Sequence, residues 1–183
     1  MNTIQIHKHK VDSILRRHPW IFSGAITTDT TNLTDGETVT VTDHKGNFLA
    51  SGHFQHATIA VRILTFEERQ IDQQFFVERI ENAVQMRKNL NLLTKDNSIC
   101  RLVHGEGDSL PGLIVDFYAG VAVVQCHSIG MYNTIPFIAE GLKKAFGTEL
   151  KAIYSKSSDT LPQRADVTDG FVFGICEPPH LAQ

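Results

Sequence analysis

The sequence predicts an α+β protein, a small β-barrel followed by a separate mixed domain, and three observations carry that prediction. Apolar and polar residues alternate with period two from Thr38 into Leu64, the signature of half-buried strands. From Asp72 the spacing turns helical, with Phe75, Phe76, Ile80, Ala83 and Val84 on one side. After a polar break at Thr94–Ser98, strand-like runs return on both sides of a second helical stretch. A chain of 183 residues, 42% hydrophobic and 20% charged, can hold one large core or two small ones. The interruption Phe66-Glu67-Glu68-Arg69-Gln70 favours two, divided near residue 70.

Taken in order, Thr3–Ile6 is β-prone, and Val11–Arg17 is a brief helix that Pro19 stops by pushing its predecessor out of the α region. Strands follow at Thr38–Thr42, Phe48–Phe54 and Thr58–Leu64, broken by turn residues at Asp43–Asn47 and Gln55–Ala57. Asp72 caps a helix that runs to about Asn89. Strands are expected at Ile99–Val103, Leu113–Tyr118 and Val121–Cys126. A helix over Thr134–Phe146 tolerates Pro136 in its first turn and exits at Gly147, and the last strands are Lys151–Tyr154 and Phe171–Ile175.

The stretch that points to function is Arg16–Ile26, where arginines run into the single tryptophan of the chain. Cations beside an aromatic ring can hold a phosphate backbone while offering a base a surface to stack on. The competing reading is a solvated helix end whose Trp20 and Phe22 enter the core. Charge favours the first: residues 1 to 26 carry Lys8, Lys10, Arg16 and Arg17 against Asp12, a net of +3 in a chain of net −3. The candidate RNA contacts are Lys8, Lys10, Arg16, Arg17, His18, Lys45 and Arg62. The arginine pair is expected to meet phosphates, and Trp20 to anchor the helix that presents them.

Other chemistries find little footing. There is no run of eighteen apolar residues and no signal-peptide core, so a cytoplasmic location is expected. The three cysteines, Cys100, Cys126 and Cys176, are expected to be reduced and mostly buried. Cys100, His104, Cys126 and His127 lack the paired spacing of a zinc site, and Cys126 and His127 should face opposite ways, so no metal is expected. Gly105-Glu106-Gly107 leads through Pro111-Gly112 into another strand, which makes it a hairpin turn and not a phosphate loop. No Walker or nucleophile-elbow motif occurs, and no catalytic or cofactor-binding residue is assigned.

Several separated segments, Arg16–Ile26, Phe48–Gly52, Val61–Leu64, Ile71–Phe76 and above all Arg101–Asp116, closely resemble the front part of the PUA-domain-containing, S-adenosylmethionine-dependent methyltransferases that make 5-methylcytosine in large-subunit ribosomal RNA. The resemblance runs from about Ile4 to Pro179. It implies a PUA-like RNA-binding barrel over residues 1–70, a central domain of strand-strand-helix-strand-strand order over 71–179 behind a connecting helix, and a short tail over 180–183. It also implies that the Rossmann-like catalytic domain, with its S-adenosylmethionine site and nucleophilic cysteine, is absent from this chain, which alone would be inactive. The implied partner is large-subunit ribosomal RNA, with no membrane and a homodimer left open. A free-standing RNA-binding or adaptor protein is the alternative. Two departures stand out: Ser109 occupies a position where the family usually has glycine, acceptable if its φ is negative, and Lys156–Asp159 replaces an arginine with a neighbouring acid.

Overall fold

The computed structural model describes residues 2–94, 96–162 and 167–177, so the predicted tail from 180 and the two residues before it lie outside the described residues. The chain divides into two compact units, Met1–Ile71 and Asp72–Gln183.

The first unit holds β1 (Asn2–Gln5), α1 (Val11–Leu15), β2 (Trp20–Phe22), β3 (Thr38–Thr42), β4 (Phe48–Phe54) and β5 (Ile59–Thr65), with 3-10 turns at Lys8–Lys10 and Ser23–Ala25. The five strands form one sheet in the order β1-β3-β4-β5-β2. β1 lies parallel to β3 and the other pairs are antiparallel. The sheet is not closed by a continuous ladder. Its two edges meet instead where Ile6 bridges Ile26, His7 N–H donates to Ala25 O (2.9 Å) and Thr27 N–H donates to Gln5 O (2.9 Å). Alternate residues such as Val39, Val41, Ala50, Val61 and Ile63 point inward onto Ile4, Ile6, Ile14 and Ile21, and this cluster is the core. At the β4–β5 bulge the backbones approach so closely that a Cβ on Gly52 would sit 2.1 Å from Arg62 O.

The second unit runs α2 (Gln73–Asn89), β6 (Ile99–His104), β7 (Leu113–Tyr118), β8 (Val121–Cys126), α3 (Ile129–Asn133), α4 (Ile135–Phe146), β9 (Ala152–Ser155) and β10 (Gly170–Phe173). Asp72 caps α2 by accepting from Phe75 N–H at 3.0 Å. Its five-stranded sheet has the order β10-β9-β8-β7-β6, with β8 and β9 parallel across the helical connection. Three strands, β6 to β8, precede α3 and α4, as the runs at Ile99–Val103, Leu113–Tyr118 and Val121–Cys126 predict and one more than the strand-strand-helix-strand-strand order counts, with β6 paired to β7 as a hairpin. α3 was not expected either: Ser128 accepts from Met131 N–H (3.4 Å) and starts a turn of helix ahead of α4. α2 and α4 pack where Gly141 leaves room, since a Cβ there would lie 2.9 Å from Ile80 Cβ. Phe117 stacks on Phe146 with centroids 4.3 Å apart, joining sheet to helix.

Two sequence expectations are not met here. Ser109 adopts φ 58°, the left-handed region, and not a negative φ. A 3-10 turn over Gly105–Asp108 delivers the chain into that conformation, and Asp108 fastens the turn by accepting from both terminal guanidinium nitrogens of Arg87 (Nη2 to Oδ2, 2.8 Å) and from His104 N–H (2.6 Å). Of the three free cysteines only Cys126 is buried, with Cys100 and Cys176 half-buried.

Candidate nucleic-acid interface

The site is built by the way α1 ends. His18 N–H donates to Ser13 O (3.0 Å) and Arg17 N–H to Ile14 O (2.8 Å), the paired bonds of a Schellman motif. The left-handed residue that such a motif requires is normally glycine, but here it is Arg17, at φ 61°. The turn sends Pro19 and β2 along β5, with Trp20 opposite Arg62 and Ile63 N–H donating to Pro19 O (2.8 Å).

On β2 the period of two decides which side chains are usable. Ile21 is 2% exposed and belongs to the core, so Trp20 and Phe22 project to the other side, Trp20 half-buried and Phe22 46% exposed. His18 folds back against both rings, 6.0 Å edge-on to Trp20 and 6.2 Å from Phe22. Its Nδ1 lies 3.2 Å from Trp20 N and 3.0 Å from Trp20 O. Unprotonated, it accepts from the Trp20 N–H; protonated, it donates to the carbonyl. These three rings, with Lys10, Ser13 and Gly24, line a cavity of about 410 Å³ that is largely apolar with a basic edge.

The sequence-predicted residues are thus only partly brought together. Lys10 and His18 line the cavity. Lys8 and Arg16 are exposed nearby in sequence, Lys8 in the 3-10 turn before α1 and Arg16 at the helix C-cap. Arg17 lays its guanidinium over the Phe66 ring at 5.4 Å, which holds one face of that cation against an aromatic partner. Lys45 sits in the Asp43–Asn47 turn and takes no part in the cavity. Arg62, half-buried, stands between Trp20 on β2 and His53 on β4. His53 is almost fully buried, and desolvation together with the Arg62 charge lowers its pKa to about 4, so it is neutral at physiological pH.

Trp20 lies on β2, half-buried, and its ring shares the cavity wall with Ser13 and Ile14 of α1. Phe22 and Ser13 escaped sequence reasoning. The alternation Trp20-Ile21-Phe22 carried the signal for Phe22, but three residues are too few to separate a strand from a helix end.

The side chains also bear on metal and cofactor chemistry. Among the described residues no three His, Cys, Asp or Glu side chains converge as a metal site. Cys126 is pushed up to about 12 by burial, which makes it a poor thiolate. An adenosyl cofactor is typically held where a glycine-rich loop leads from strand to helix. Here the passages from strand to α-helix, Ile6–Lys10, Phe66–Asp72 and His127–Ser128, contain no glycine, so none of them fits that group. No helix among them is long and apolar enough to cross a membrane.

Comparison with known proteins agrees with this layout. Residues 4–66 match the PUA-like domain family, and every residue that lines the cavity lies within that span. Over nearly its whole length the chain is also similar to the protein named ribosomal RNA large subunit methyltransferase I. It is 36% identical to that of Escherichia coli strain SMS-3-5 over 178 residues and 34% identical to that of Citrobacter koseri over 180, in each case 95% of this chain and 44% of the relative. The chain therefore spans under half the length of these relatives. Among solved structures, a candidate methyltransferase complexed with SAH superposes with TM-score 0.78 at 16% identity, covering 97% of this chain and 44% of that one. A candidate SAM-dependent methyltransferase from Streptococcus mutans does so with TM-score 0.77 at 17% identity, with the same coverage. At these identities the likeness is one of fold.

Proposed function

We propose that this chain is the RNA-gripping and spacer portion of an S-adenosylmethionine-dependent methyltransferase that makes 5-methylcytosine in large-subunit ribosomal RNA. The observation that carries the reading is the cavity of Lys10, His18, Trp20 and Phe22, which lies within the residues that match a PUA-like domain and within the span similar to ribosomal RNA methyltransferases. Aromatic walls with a cationic edge suit an unstacked base whose phosphates run past Lys8, Lys10 and Arg16. Lys45 and Arg62 extend the same basic surface in this reading, and methyl transfer belongs to residues outside those described.

The test is a titration of the chain against a structured large-subunit ribosomal RNA fragment across a salt series. Replacing Arg16 and Arg17 together by Ala flattens the slope of log K against log salt, by roughly 0.7 to 0.9 for each phosphate that is no longer neutralised. Arg16 carries the greater part, because Arg17 is committed to Phe66. An unchanged affinity and slope would remove this stretch from the RNA interface and favour an adaptor that meets protein instead.

A further inference from the structure

A second cavity, of about 460 Å³, lies on the other side of the Ser23–Ala25 turn. The two share one segment of chain: Phe22, Gly24 and Ala25 line the first, while Ser23 and Ile26 line the second. The linings differ in chemistry. The second has an apolar floor of Phe54, Ala60 and Ile26 with Gln55 buried beside it, and a rim of Thr28, Asp29 and His56. No lysine or arginine is among the residues that line it.

Its walls are fixed before anything binds. On one side Gln5 N–H donates to Thr28 Oγ1 (2.8 Å) and Thr27 N–H to Gln5 O (2.9 Å). On the other, Gln55 N–H donates to Ala60 O (2.9 Å), His56 N–H to Asp35 Oδ1 (2.6 Å), and His56 Nε2 to Leu33 O (2.9 Å). The Gln55–Ala57 turn, which reads in the sequence only as a break between strands, is therefore a rigid rim.

We infer that this cavity takes the edge of a second unpaired nucleobase, and that it selects bases carrying an exocyclic amino group over uracil. The inference rests on the RNA reading above and adds the base preference. Asp29 supplies the selectivity. Thr31 N–H donates to its Oδ1 (3.0 Å) and holds the carboxyl below the usual carboxylate range, so it is ionised and can only accept. Cytosine, adenine and guanine each offer an amino group to such an acceptor. Uracil presents a carbonyl oxygen in the place where cytosine has its amine, and a carboxylate repels it. His56 is the one basic side chain in the lining and its Nε2 donates to Leu33 O, which leaves phosphate to the first cavity. A strand crossing the Ser23–Ala25 turn would thus stack one base beside Trp20 and place a neighbour against Asp29.

The experiment uses the whole chain with short fluorescent oligocytidine and oligouridine. Oligocytidine should bind about five- to ten-fold more tightly, the scale of one good base-edge hydrogen bond. Asp29→Asn should abolish that preference, because an amide can also donate to the uracil carbonyl. It should bind oligouridine more tightly than wild type, toward the affinity for oligocytidine. Cytidine, but not uridine, should move the Gln55 and Thr28 amide resonances, a readout that needs no variant. Equal binding of both oligomers, weakened for both by Trp20→Ala, would overturn the base preference and keep the RNA reading. Binding of neither oligomer nor the ribosomal RNA fragment by folded protein would overturn both. A preference that survives in Asp29→Asn would overturn the role given to the carboxylate.

Discussion

Of the four non-glycine residues in the left-handed region among those described, Arg17 at φ 61° after α1 and Ser109 at φ 58° before β7 are held in opposite ways. Around Ser109 the restraint is a buried network. The Arg87 and Asp108 side chains are 12% and 3% exposed, Leu110 is fully buried, and its N–H donates to Gly105 O at 3.0 Å. Around Arg17 the restraint is backbone hydrogen bonding plus one cation over an aromatic ring, one residue before His18 enters the wall of an open cavity. Strain that a buried network locks serves packing. Strain beside a cavity wall serves presentation, here of His18 and Trp20.

The largest effect should come from removing the lock. Asp108→Ala leaves a nearly buried guanidinium without its partner and frees the His104 N–H, so the second unit should lose about 3 to 5 kcal/mol in urea denaturation. A loss near 1 kcal/mol would mean that Ser109 is held by local backbone alone.

Next in size is a pH effect confined to the first unit. The folded-state pKa of His53 lies near 4 against an ordinary value of 6.5. The unfolded chain therefore binds more protons in this window, and stability is fully present above pH 6.5 and falls as the pH drops toward 4. The accumulated loss from this group is about 3 kcal/mol. His53→Gln should flatten stability across that window. An identical slope in the variant would assign it to other groups.

These contrasts also show what sequence can carry. The bounds of β7 and β8, the Asp72 cap, Pro136 in the first turn of α4 and Gly147 at its exit were legible because each depends on neighbours a few residues away. The φ of Ser109 was not, since it is imposed through Asp108 by Arg87, which lies 21 residues from Asp108. β2 was missed because it exists by pairing with β5 and has too few residues for a period of its own. At the candidate site, sequence located the stretch but not the selection within it. Lys10 and His18 reach the cavity, Arg17 is diverted to Phe66 and Lys45 lies in a separate turn, outcomes set by tertiary placement.

A smaller effect separates presentation from packing directly. Trp20→Ala should cost roughly 1 to 3 kcal/mol of RNA binding as a stacking surface is removed. Its cost in stability should be smaller than that of a buried aromatic, because Trp20 is half-buried and its β2 neighbour Ile21 fills the core. A fall in melting temperature with affinity retained would return Trp20 to a structural role.

The smallest effects sharpen the comparison most, because one substitution can be made in both turns. Glycine accepts the left-handed region without the Cβ penalty, and part of that gain is returned as extra freedom in the unfolded chain. Ser109→Gly should therefore stabilise by about 0.5 to 1 kcal/mol, since the side chain it removes is exposed and the Arg87–Asp108 lock remains. Arg17→Gly gains the same backbone relief but forfeits the cation over Phe66, about 0.5 to 1 kcal/mol at an exposed site, so its net change should lie near zero. RNA affinity should then fall modestly in Arg17→Gly and stay unchanged in Ser109→Gly. Equal stabilisation in both variants would show that the guanidinium adds nothing over Phe66 and is free to meet phosphate, which would shift the larger share of the salt dependence from Arg16 to Arg17.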